Sequence, residues 1–164
     1  MEENMATQLI EALVGIEFDR RYYAYYDANC DRMRRTWAGV RRQDFEAALA
    51  TTSLDFKYVS KGSFFSHEQR QEHCAITLNI AFPVSTVEFI LLVKTESGHA
   101  GKPYPVLANE AGQHRDPNFS HIPPYPRLPF SNRDELSEAV QFGISLFHES
   151  KRAILSSGIC RAEN

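Results

Sequence analysis

The sequence predicts an α+β fold: a long N-terminal helix and a C-terminal helix packed on an antiparallel sheet of three to five strands. Three observations predict it. An apolar beat of seven residues runs through the first forty positions. The period drops to two between Leu54 and Val93, and a helical period returns after Ser131. The chain has 164 residues, 43% hydrophobic and 24% charged, which fits one domain over 1–164 with a substantial core.

Leu9, Ile16, Tyr23, Cys30 and Trp37 recur every seven positions. Ala12, Asp19, Tyr26, Met33 and Val40 repeat the beat three places on. Rows three and four apart share one helix face. No proline interrupts Glu2 to Val40, so one helix is expected from about Ala6 to Trp37, about 48 Å long at 1.5 Å per residue. Its Ile16–Trp37 part is expected to roof the sheet. Its Leu9–Asp19 end is expected to project, with the Asp19 carboxylate overhanging the sheet. A buried Asp19 would instead need a partner such as Arg or Tyr. Tyr23 and Tyr26 are read as packed inside, with at least one of Tyr22 and Tyr25 exposed.

The opposite face is basic: seven of the thirteen arginines fall between Arg20 and Arg42. Acids interleave them, and Glu17–Arg21 and Asp31–Arg35 have the i, i+4 spacing that steadies a helix. The face is therefore read as solvated. A short helix is expected from about Arg42 to Ala50.

Leu54, Phe56 and Tyr58 alternate with polar partners and read as a strand, and Lys61-Gly62 marks a turn. Ser66 to Glu72 reads as a polar connection. The run His73–Phe82 alternates again and ends at Pro83, which lacks a ladder donor. Thr86 to Thr95 is apolar on both faces, so it is placed centrally and covered twice. Tyr104 to Ala108 is a candidate fourth strand. Short polar links favour an antiparallel meander. Asn109 to Ser131 holds five prolines and reads as one long irregular loop of the kind that often carries function. Ser131 is the expected N-cap of the last helix, whose apolar face runs from Leu136 to Ile154, and Gly158 is its expected C-cap.

The net charge of −3 gives no general reason for nucleic-acid binding. The start has no secretory pattern, and the longest apolar run, Phe89–Val93, is too short for a membrane span. Cys30, Cys74 and Cys160 form no zinc pattern. They read as reduced thiols of a cytoplasmic protein, with Cys30 and Cys74 in the core. His67, His73 and Cys74 with Glu68 and Glu72 match no trusted metal spacing, so no metal and no cofactor is expected. His114, His121 and Asp116 could form an acid–base group, but loop histidines are usually only solvated. Ser60, Ser63 and Ser66 lack a nucleophile elbow. The Ser97–Lys102 stretch lacks phosphate-loop spacing.

The order of helix, strands, proline-rich loop and helix, with the segment Tyr125-Pro126-Arg127-Leu128-Pro129-Phe130-Ser131-Asn132-Arg133-Asp134-Glu135-Leu136, resembles small bacterial immunity proteins. These neutralise secreted antibacterial toxins, and some are paired with ADP-ribosyltransferase toxins. The resemblance carries over no site residue. It implies a cytoplasmic protein, not an enzyme, that occludes a secreted toxin or effector, as a monomer or homodimer. The loop residues Asp116, Phe119, His121, Tyr125 and Arg127 are the expected contacts. A type III or type VI secretion chaperone is the alternative, with an apolar groove for an effector segment. A small ligand-binding or enzymatic α+β domain is the third.

Overall fold

A computed structural model describes residues 2–162. Its element order is α1 (Glu2–Gly15), α2 (Phe18–Asn29), a 3-10 turn (Cys30–Arg34), α3 (Arg42–Ala50), β1 (Lys57–Val59), β2 (Phe64–Arg70), β3 (Cys74–Ala81), β4 (Thr86–Thr95), β5 (His99–Pro103), α4 (Tyr104–Arg115), β6 (Leu128–Pro129) and α5 (Arg133–Ser157). The strands form an antiparallel sheet in the order β1-β2-β3-β4-β5, and β6 adds to the start of β4. The fold is α+β.

The expected single helix is broken. Gly15 ends α1, and Glu17 takes a left-handed conformation (φ 58, ψ 37) before α2 starts. Gly15 is a weak helix former, and the break lets two short helices follow different neighbours. The first half packs on α4, α5 and β5, and the second on α4 and β6. The end expected to project is therefore core, with Leu9, Leu13 and Phe18 at most 1% exposed. The stripe stays buried or half-buried through Tyr26 and then fails. At Cys30 the chain tightens to about three residues per turn, which shifts the phase and turns Cys30 and Met33 outward. Tyr22 is fully buried and Tyr25 half-buried, so neither is the exposed tyrosine expected.

Asp19 is buried as well, with its partner supplied by α4: Arg115 Nη2 lies 3.1 Å from Asp19 Oδ1. The same guanidinium donates to the Val14 carbonyl at the helix break. Asp19 therefore does not overhang the sheet; it ties the broken helix to α4.

Residues 66–70, expected as a connection, belong to β2. Pairing with β3 from Phe65↔Ile80 to Arg70↔Ala75 holds them extended despite their polarity. Their polar side chains find partners: His67 Nδ1 donates to the Asp55 carbonyl, and Lys151 of α5 donates to Gln69. Tyr104–Ala108, expected as a strand, opens α4, and the fourth main strand is β5 before it. Pro105 lies in the first helical turn, where a missing N–H costs nothing. The first part of the expected long loop, Asn109–Arg115, is thus helix.

The helices cover one sheet face only. Ile76, Leu78, Ile80, Val87, Phe89 and Leu91 point into the core with no exposure. Their alternates Thr77, Asn79, Ile90 and Leu92 face the other way, and Leu92 is 36% exposed. β4 is central, as expected, but is covered once. On the inner face α5 comes close enough at Gly143 that a Cβ there would fall inside the Phe89 ring. The C-terminal helix is capped by Asn132, one residue past the expected Ser131. Asn132 Oδ1 accepts from the Glu135 N–H, and Glu135 reaches back to the Ser131 N–H. Gly158 ends the helix at φ 90, as expected.

Cys74 and Cys160 form a disulfide across 86 residues. This corrects the expectation of reduced thiols. The turn after α5 returns to the start of β3, a meeting that sequence spacing does not show. Cys30 is free and exposed rather than part of the core.

Candidate protein-contact surface

A shelf of tyrosines on α2 positions the segment after α4. Tyr22 donates to the Pro126 carbonyl (2.6 Å) and Tyr23 to the Pro124 carbonyl (3.0 Å). Burial is the main cause that lifts both phenols well above the ordinary tyrosine range, so both remain donors. Tyr23 also stacks on His121, with ring centroids 4.2 Å apart, and packs against Phe119. Phe119 reaches that position because Gly112 has no side chain; a Cβ there would overlap the Phe119 ring. The far end is fixed by β6 on β4 and by the Phe130 N–H to the Ser85 carbonyl. The Ile122–Pro123 peptide bond is cis. The proline-rich segment is therefore seated by named hydrogen bonds along its length.

The five expected contact residues divide into two groups. Asp116, Phe119 and His121 brace the segment. Asp116 Oδ1 accepts from the Asn118 N–H, and its carbonyl accepts from the Phe119 N–H, forming the turn that leaves α4. His121 Nδ1 meets the Pro123 carbonyl at 2.6 Å, and Nε2 meets Asp27 Oδ1 at 2.8 Å. Both ring nitrogens are engaged, which leaves no free nitrogen for acid–base work on a substrate. His114 is exposed near the end of α4 and has no part in this brace.

Tyr125 and Arg127 face outward. They line a shallow groove of about 430 Å³ with Tyr26, Met33, Pro105 and Val106. Glu88 lies in it too, paired with Arg127 at 3.7 Å. The most exposed large apolar side chains line this groove or lie close to its lining residues in sequence. Tyr125 is 54% and Met33 58% exposed, Ile122 (91%) directly precedes the lining residue Pro123, and Val84 (87%) stands two residues before Thr86. Exposed apolar surface, where it is contiguous, marks contact sites. Sequence reasoning missed Met33, Val84 and Ile122. The heptad beat places Met33 on the seam, and the one signal in the sequence is an isoleucine, Ile122, lodged in a polar, proline-rich stretch.

The remaining candidates do not assemble. No group of three or more metal-ligating side chains occurs among the described residues. His67 is a strand residue bonded to Asp55, and His73 directly precedes β3 and its disulfide-bonded Cys74. The Ser97–Lys102 stretch is the β4–β5 hairpin, closed by the Thr95 N–H to the Gly98 carbonyl at 2.8 Å. The exposed arginines are largely paired on the surface, as in Arg20–Glu17, Arg35–Asp31 and Arg42–Glu46. Among the described residues no helix is long and apolar enough to cross a membrane.

Together these features define a shallow groove with exposed apolar side chains beside a firmly seated, proline-rich segment. Comparison with protein-family models, with curated proteins and with solved structures finds no match for the chain.

Proposed function

We propose that the chain is a protein-binding inhibitor, an immunity protein that seats the 116–131 segment and its groove on a secreted bacterial toxin and blocks it. The observation that carries this reading is the pairing of a firmly seated loop with outward apolar side chains. Tyr22 and Tyr23 hold the loop's backbone while Ile122, Tyr125 and Met33 remain exposed beside the groove. A rigid loop loses little freedom on binding, so its apolar contacts are retained as affinity. Tyrosine, methionine and arginine are the residues that enrich interface centres. The occupied nitrogens of His121 also favour contact over chemistry at this place.

Such an inhibitor is expected in the cytoplasm of the producing cell. The Cys74–Cys160 bond favours an oxidising compartment instead, and thiol trapping in living cells decides between them. The functional test is co-expression with the product of the neighbouring open reading frame in the native host. A stable complex that restores growth supports the reading. It fails if no adjacent product is toxic, or if a toxic one neither binds nor is neutralised.

A secretion chaperone is the second reading, favoured by one observation: the groove is lined by prolines and tyrosines, a surface that suits an extended segment. It requires a homodimer, so a monomer in light scattering rejects it.

A further inference from the structure

We propose that the groove beside Tyr125 receives an uncharged apolar anchor, an aliphatic or aromatic side chain projecting from the partner protein. This rests on the inhibitor reading and names what the toxin must present. At about 430 Å³ the groove lies toward the small end of ligand-sized pockets and has room for one or two side chains. Its two charged lining residues, Glu88 and Arg127, face each other at 3.7 Å.

Charges in the flanking segments are close to balance. Asp31 lies 4.0 Å from Arg35. Asp27 hydrogen-bonds the His121 ring, and the exposed Arg34 next to Met33 offsets the Asp27 charge. Cancelled pairs leave a weak field, so a strongly charged strip on a partner finds no complement here. The apolar side chains are the unsatisfied part of the surface. Met33 and Tyr125 keep more than half their area in water, and an entering apolar group displaces that water. The walls are already fixed by the Tyr22–Pro126 bond and the β4–β6 pairing, so the site needs no reordering to accept the anchor.

The test uses the whole chain labelled at its methionine methyls, with the Met33 signal assigned through Met33→Leu. N-acetyl-tryptophanamide and N-acetyl-leucinamide are titrated in, with the corresponding glutamate and lysine amides as charged controls. The apolar amides are expected to shift the Met33 methyl saturably, while buried Met5 and the charged controls give no response. Tyr125→Asp, at an exposed position, is expected to weaken the tryptophan amide about tenfold. No shift from any amide, or equal shifts from the charged ones, overturns the proposal.

A second arm uses the toxin complex. Met33→Asp and Tyr125→Asp are expected to weaken it, with little dependence on salt. An intact complex with both variants, or a steep loss of affinity with salt, overturns the anchor and leaves the inhibitor reading standing. Amide binding without any toxin partner supports the anchor site and removes the inhibitor reading.

Discussion

Reducing the Cys74–Cys160 bond should loosen this protein more than most single changes. The bond closes a loop 86 residues long that runs from β3 through β4, β5, α4, β6 and α5. In the chain-entropy account, releasing such a loop in the unfolded state costs about 4.6 kcal/mol of stability at 25 °C, against a typical measured range of about 2–4 kcal/mol. For a chain of 164 residues, 1 kcal/mol corresponds to roughly 3 °C, so the reduced protein should melt about 6–14 °C lower. The assay is urea unfolding and thermal melting, with and without dithiothreitol, of the natural chain and of Cys160→Ala. Reduction isolates the bond, because both sulfurs stay in place. The variant should melt near the reduced protein and ignore the reductant. The unfolded, unreduced chain should show one reactive thiol, Cys30. Equal midpoints for oxidised and reduced protein, or three reactive thiols before reduction, would refute the reasoning.

Three further outcomes follow from named contacts. Arg115→Ala removes the partner of buried Asp19 and a donor to Val14. It should destabilise by about 3 kcal/mol in denaturant unfolding, and a loss below about 1 kcal/mol would show that water already serves Asp19. Gly143→Ala should gain about 1 kcal/mol of helix propensity yet lose more to the clash with Phe89, for a net loss of about 1–2 kcal/mol; a stabilised variant would mean that α5 shifts without cost. Tyr22, Tyr23, Tyr25, Tyr26 and Tyr104 all have phenol pKa values raised from 10.0, chiefly by burial, with Tyr25 pushed up to about 12. The folded state binds these protons more tightly than the unfolded state. Stability from them is therefore intact below pH 10 and falls as pH rises above it. In an ultraviolet titration these five of the seven tyrosines should ionise late and together with alkaline unfolding. Early, independent ionisation of all seven would contradict their burial.

Parts of this architecture were plain in the sequence because local rules governed them. The span Thr86–Thr95 is a strand as expected, and α3 spans Arg42–Ala50 as its pattern predicts. Gly158 caps α5 because a left-handed residue there favours glycine. A fuller reading of α4 was also available: Tyr104, Leu107, Ala108 and Ala111 keep helical spacing, and all four are buried. The expectation instead divides it, with Tyr104–Ala108 as a strand and the residues from Asn109 as a loop. The candidate site was half legible. Proline and aromatic content singled out the segment, but which of its side chains point inward depends on Tyr22, Tyr23 and Asp27, about a hundred residues away.

By itself the sequence determined the α+β class, the meander and the capped C-terminal helix, since period, turn residues and caps act within a few positions. Tertiary structure decided where the N-terminal helix breaks, which charge meets the buried Asp19, which cysteines join, and which face of the proline-rich segment meets solvent. Each of these follows from groups brought together across about 85 to 105 residues, and the energy of such a meeting appears only once the chain has closed the loop between them.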